Sequence, residues 1–359
     1  MDKLLFITPF SFPILALLAC YYQRPVFFTI ITLAWGLVLM ALDMLLPRDA
    51  HYPWQEVRDR VRDDSGRFQK SNFILFVFVL SHLLALAASL YRVSQAANPW
   101  PWMLLIVPVC LSGMESLAIA HELMHGRSGP EALMSRIASI PQMWNIHEYE
   151  HLYLHHRDEV ICTEIDTSYA PLGKSVYGYI AMGLVSNIRN AWQIQYRLLK
   201  EKGAPLPGLQ TLARTYLPSI VLAVLVGVFL GKFALAFFLI QSAASILLGL
   251  GATYNQHYGL TRRKRGDGSY EPFTYMNVWS SDGRISNRLF WNIPHHAHHH
   301  LDPFCDYPEL KFIADSPTLP NGLFSMTLSF FPPLWFRIMN PRVKDVFTLR
   351  DRLDSEGRL

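Results

Sequence analysis

Six stretches of this chain are apolar over about the length that a helix needs to cross a bilayer, and no other feature restricts its fold so strongly. Inside hydrocarbon every backbone N–H and C=O must be satisfied within the protein, so long apolar runs must be helical. The runs are 4–20, 26–46, 73–93, 102–120, 215–231 and 234–254. Pro9, Pro13 and Pro218 leave the bounds of the first and fifth open, and Asp43 lies where a charge reaches the interface. The connections 21–25, 94–101 and 232–233 are short, so the runs pair as three hairpins with every long segment on one face. The expected fold is all-α: one polytopic membrane-embedded domain over 1–359, with about six transmembrane helices and a cap built from 121–214 and 255–359. Composition agrees, since charged residues make up 17% against roughly 25% in a typical soluble domain.

Charge decides which face is which. Segment 47–72 carries Arg48, Arg58, Arg60, Arg62, Arg67 and Lys70, and 121–214 carries Arg127, Arg136, Arg157, Lys174, Arg189, Arg197, Lys200 and Lys202. Arg262, Arg263, Lys264 and Arg265 follow the last run, while the opposite face offers little beyond Arg24, Arg92 and Lys232. The positive-inside rule then places both termini and the cap in the cytoplasm, and the chain in the inner membrane as a multi-pass protein. It also explains the basic run 262–265 as an anchor, with no nucleic-acid partner implied. The N-terminus lacks the basic region and cleavage site of a removed signal peptide. Residues 176–200 read as a helix on the membrane surface or on the cap, and 323–339 as an interfacial or re-entrant element broken at Pro332–Pro333.

Of the 14 histidines, all but His51 and His82 fall in clusters on the cytoplasmic side. His121 and His125 are spaced i, i+4, as are His151 and His155, and each pair shares a helix face. On an α-helix His156 lies about 100° further round. His296 and His299 are spaced i, i+3 with His300 beside them, and His257 stands alone after the sixth run. Neutral imidazole is the commonest side-chain ligand for transition metals. Eight or nine of them exceed what one tetrahedral zinc uses, and suit two metals with open positions. The His-Glu-x-x-His pattern occurs twice, at 121–125 and 147–151. A zinc peptidase would use only one copy and one further ligand, leaving most of the cluster unexplained. His147 then reads as a residue beside the ligands or on the surface. A metal transporter would need ionisable groups midway along its spans, where only His82 and Glu115 qualify, and His82 reads as a hydrogen-bonded packing residue.

HELMH (121–125), HLYLHH (151–156), the HYGL element at His257 and HAHHH (296–300) resemble the ordered histidine motifs of integral-membrane di-iron enzymes. With LDP and YPEL following, the chain is similar to the alkane hydroxylase and xylene monooxygenase branch of the fatty acid desaturase–hydroxylase superfamily, over about 100–345. The resemblance implies two non-haem irons held by His121, His125, His151, His155, His156, His257, His296, His299 and His300, using dioxygen. An alternative register of the last cluster would use His295, His298 and His299. Gln256 stands where alkane hydroxylases usually carry Glu.

The implied reaction is hydroxylation of an unactivated terminal or benzylic methyl of a hydrophobic substrate arriving from the bilayer. The alternative keeps the metals but decarboxylates a fatty acid to a terminal alkene, or desaturates it; Arg157, Arg284 and Arg288 are the candidates to hold its carboxylate. Glu122, Asp158 and Asp302 are candidates to orient imidazole N–H groups. There is no dinucleotide fingerprint and no CxxC among Cys20, Cys110, Cys162 and Cys305. Electrons therefore come from a separate ferredoxin- or rubredoxin-type partner with its reductase, steered by the basic cytoplasmic face.

Overall fold

A computed structural model describes residues 2–62, 72–126 and 129–358, so Arg67, Lys70 and Arg127 lie outside the described residues. Among the described residues five helices are long and apolar enough to cross a membrane: Leu5–Tyr22, Pro25–Leu45, Asn72–Gln95, Trp100–Met124 and Pro207–His257. The fifth runs through the two segments expected as spans five and six. It is not straight, because Gly231 has φ 84° and ψ 178°, a backbone state that a residue with a Cβ enters only under strain. Ser219 bonds the Ile140 carbonyl at 3.0 Å, while Gln241 and Ser242 bond the next one, Pro141, at 3.0 and 2.8 Å. On a straight helix Ser219 and Gln241 would stand about 33 Å apart. The two legs therefore fold back on each other at Gly231, giving six crossings from five helices.

The stretch after the fourth span differs from expectation. Rather than staying in the cap, Gly129–Ser139 runs back antiparallel beside the fourth span. Ser135 bonds the Ala120 carbonyl, Ser116 bonds that of Ala138, and Gln142 reaches His82 at 2.7 Å. His82 in turn bonds Ser112 at 2.9 Å, the packing role expected of it. Ser112 lies nine residues below His121, about 13 Å along the helix. Irregular backbone at that depth persists only where protein satisfies it, and Ser219, Gln241 and Ser242 do so for Ile140 and Pro141. Gly113 sits at the crossing, where a Cβ would lie 2.4 Å from Ser245 Oγ.

Val176–Glu201 forms the expected amphipathic helix, capped by Ser175. It buries Tyr179, Gly183, Asn187 and Ala191 against the protein and leaves Val185, Ile188, Trp192 and Tyr196 exposed. Arg189, Gln193 and Arg197 fall on a third face. Asp43 closes the cap from below, accepting the Ile285 and Ser286 N–H groups at 2.9 and 2.8 Å at the start of one helix and that of Leu323 at 3.3 Å in another. Strand His51–Tyr52 pairs in parallel with Phe312–Ile313. Pro332 begins a helix, Pro332–Ser355, instead of merely breaking one, because proline suits a first turn whose N–H has no partner. Its Trp335 packs on Tyr254 and Tyr258.

Candidate metal centre

Two helix ends and two short helical pieces carry the nine histidines to one place. His121 and His125 lie at the end of the fourth span. His151–His155 is a π-turn in which His156 N–H bonds the His151 carbonyl at 3.0 Å. Closing five residues into one turn swings His156 back over His151, with ring centroids 4.4 Å apart; the α-helical spacing read from sequence would have turned it away. His257 ends the long helix, and His296–Leu301 presents His296, His299 and His300 on one face.

The nitrogens form two groups. One atom each from His121, His125, His151, His156 and His299 lie within 4.8 Å of one another, as do those of His155, His257 and His300. His296 joins the second group through Nε2, 3.0 Å from the Nε2 of both His257 and His300. His156 and His300 rings, 4.7 Å apart, bridge the two. Burial, reinforced by the neighbouring imidazoles, holds His125, His151, His156, His296, His299 and His300 well below the usual histidine range. A neutral ring nitrogen offers one proton or one lone pair, so His296 Nε2 can satisfy only one of its two contacts. His121 Nδ1, His156 Nε2 and His299 Nε2 have no hydrogen-bond partner although buried. Cations within each group resolve this, so the donor set fits two transition metals with imidazole ligands.

The flanking histidines are engaged elsewhere. His295 Nδ1 meets the Leu310 carbonyl at 3.0 Å, and its Nε2 lies 2.8 Å from Asn287 and 3.1 Å from Asp49. His298 Nδ1 accepts the Lys311 N–H at 2.8 Å. A neutral ring used that way keeps its proton on Nε2 and cannot also donate a lone pair there, so its neighbours Asp302 and Cys305 do not complete a metal site with it. The geometry therefore favours the register His296, His299 and His300. His147 lies beside the groups, its ring 4.9 Å from that of His151 and its Nδ1 3.7 Å from Glu150.

The expected orienting carboxylates have other neighbours than the nine histidines in what the structure shows of them. Glu122 accepts the Tyr307 N–H at 2.9 Å, Asp158 is exposed, and Asp302 gathers with His298. The carboxylate that does meet one of the nine is Asp166, which holds His155 Nδ1 at 2.9 and 3.0 Å and also accepts the N–H groups of Cys162 and Ser168. Burial pulls His155 down and Asp166 up, but their mutual attraction outweighs it, raising His155 and lowering Asp166. With Nδ1 protonated, His155 keeps the Nε2 lone pair as a ligand atom beside those of His257 and His300. Cys162 Sγ lies 3.8 Å from His257 Nδ1. Both residues lie in the non-helical segment 157–170, so no helical spacing rule could have found them.

A cavity of about 140 Å³ opens from the histidines into the bundle. His121, His151, His155, His257 and His296 form its head, and Met114, Leu117, Ile246, Leu250, Leu319 and Met326 its walls. Trp144, carried in by the returning segment, lines it too, together with Glu150 and His147.

Fold and site together define a polytopic helical membrane protein with a buried polyhistidine metal centre at the head of an apolar cavity. The chain belongs to the fatty acid desaturase family, whose model matches residues 94–330, and within it to the alkane hydroxylase and xylene monooxygenase branch. It is 31% identical to alkane 1-monooxygenase 1 of Pseudomonas aeruginosa, covering 84% of this chain and 79% of that one. To the alkane 1-monooxygenase of Pseudomonas putida it is 27% identical over 89% and 78%. It is also 27% identical to the hydroxylase component of the Pseudomonas putida xylene/toluene monooxygenase, over 86% and 80%.

Proposed function

We propose that this protein is a membrane monooxygenase that hydroxylates a terminal or benzylic methyl of a neutral hydrocarbon. The nine histidines would hold two irons in the reaction RH + O2 + 2 H⁺ + 2 e⁻ → ROH + H2O. The observation that carries the reading is the cavity, which joins the histidine groups to apolar walls and has no lysine or arginine in its lining. Zinc has no redox chemistry; iron, when bound, supplies the activation of dioxygen that an unactivated C–H bond requires. The chain's own part is positioning and exclusion of water. Met114 lies seven residues below His121, about 10 Å, and Ile246 eleven below His257, about 16 Å, so the walls align an alkyl chain with its end at the metals. An apolar cavity near 150 Å³ takes one benzene ring, so the space of about 140 Å³ suits an arene or a short alkyl end.

A fatty acid fits less well. Arg157 pairs with Glu159 and Arg288 with Asp49, and neither they nor Arg284 line the cavity. A carboxylate there would be buried without a countercharge, at a cost of several kcal/mol. The peptidase reading fails on its own motif: Glu122 is bonded to the Tyr307 amide and Glu148 to Arg136, so neither can serve as a base at the metals.

The reading places the metal centre and termini in the cytoplasm of a cell whose inner membrane holds the protein. Its electrons arrive from a rubredoxin- or ferredoxin-type donor with its reductase. Metal analysis of the purified chain should give close to two irons and little zinc. Proteoliposomes given octane, p-xylene and dodecanoic acid with an electron-transfer chain should yield alcohols from the first two. One zinc per chain, or alkene from the acid without alcohol from the hydrocarbons, would sink the proposal.

A further inference from the structure

Beside the metal centre an open groove of about 660 Å³ lies between the 153–171 loop and the helix Val176–Glu201. Its lining includes Tyr153, Arg157, Asp166, Arg189, Gln193 and Arg197. Two features set it apart from the rest of the cap. The first is depth: Asp166 is both a lining residue of the groove and the carboxylate bonded to His155. One side chain therefore separates the groove from the imidazoles. The second is orientation. Val176–Glu201 buries one face in the protein and exposes Val185, Ile188, Trp192 and Tyr196 on another, an apolar stripe suited to the bilayer surface. Arg189, Gln193 and Arg197 occupy an adjoining face whose centre lies about 95° round the helix from that of the stripe, with Arg189 at the edge next to it. With the stripe in lipid, the groove opens to water.

We propose that this groove is the docking site of the electron-delivering partner, a small soluble iron–sulfur or rubredoxin-type protein with an acidic surface. The proposal rests on reading the chain as an oxygenase fed by a separate donor. Three arginines line the groove against two acids, Glu164 and Asp166, and the Asp166 carboxylate is turned inward onto His155 Nδ1. Arg157 and Arg197 also touch Glu159 and Glu201 at 3.3 and 3.9 Å, but in exposed pairs that contribute little and yield readily to an incoming carboxylate. Arg189 makes no ion pair among the described residues. An acidic partner seated here would bring its reduced iron over Asp166 and His155. It would leave one electron with the metals and depart oxidised, twice in each turnover.

The test is binding, independent of turnover. Wild type and the triple variant Arg157→Glu/Arg189→Glu/Arg197→Glu, in nanodiscs, are titrated with an acidic bacterial rubredoxin and with a plant-type ferredoxin. Arg352→Glu, an exposed change on the C-terminal helix, serves as the charge control. Wild type should bind one probe at low salt, and about 0.5 M salt should abolish that binding. The triple variant should bind it at least ~10-fold more weakly, as loss of electrostatic steering predicts, and Arg352→Glu should bind it like wild type. All variants should hold the same metal and be reduced by dithionite at the wild-type rate. A triple variant that binds like wild type, or a wild type that binds neither probe, overturns the docking site. A wild type that binds through these arginines yet makes no alcohol even with dithionite would defeat the oxygenase reading instead.

Discussion

Asp166→Asn separates a metal-supporting role from mere burial. In the wild type three donors make four contacts with two carboxylate oxygens: His155 Nδ1 on both, Cys162 N–H on Oδ2 at 2.8 Å and Ser168 N–H on Oδ1 at 2.9 Å. An amide of the same shape keeps one acceptor and places an NH2 group against one of those N–H donors. A buried donor left unsatisfied costs about 1–3 kcal/mol, so the variant should unfold at a lower temperature. The second effect is specific to the metal. Without a carboxylate His155 loses the partner that fixes its proton on Nδ1, and losing such support typically lowers metal affinity 10–100-fold. That is about 1.4–2.7 kcal/mol. Competition against a chelator of known affinity, at a temperature where wild type and variant are both folded, measures it directly. A folded Asp166→Asn protein with wild-type metal affinity would refute the claim that this carboxylate orients His155.

Three further predictions concern other parts of the molecule. His257→Ala and His300→Ala should each lose a substantial part of the bound metal and all activity, whereas His147→Ala and His295→Ala should keep their metal, the latter melting earlier because it breaks the Asp49 network; iron content and product formation on the four proteins decide this. Gly231→Ala should destabilise by ~1 kcal/mol or more through its φ of 84°, while Gly36→Ala, with nothing within 4 Å of its Cβ, should be neutral or slightly stabilising in its helix; equal melting temperatures would remove the hinge argument. Burial pushes Asp49 up, but His295, Asn287 and Arg288 outweigh it and hold the carboxyl at about 2. Because that pKa is depressed, its contribution is present above the ordinary value of 3.8 and fades as pH falls toward about 2. The melting difference between wild type and Asp49→Asn should therefore be flat from roughly pH 7 to 5 and shrink below about 4; a difference that grows on acidification contradicts the sign.

The sequence by itself determined the membrane architecture, because a span is a local property: about twenty apolar residues in a row must become helix wherever the bilayer is. It also determined which histidines could share a face, since i, i+3 and i, i+4 spacings follow from helix geometry alone. Tertiary structure decided the rest, for reasons no local pattern encodes. A π-turn, not an α-helix, turns His156 inward, and His295 and His298 bond the Leu310 carbonyl and the Lys311 N–H instead of the other imidazoles. Asp166 reaches His155 across an eleven-residue loop. The 129–146 segment turns back beside the spans because serines and a glutamine from a distant helix bond its carbonyls. Each of these depends on contacts between groups far apart in the chain, whose convergence is fixed only when the whole bundle packs.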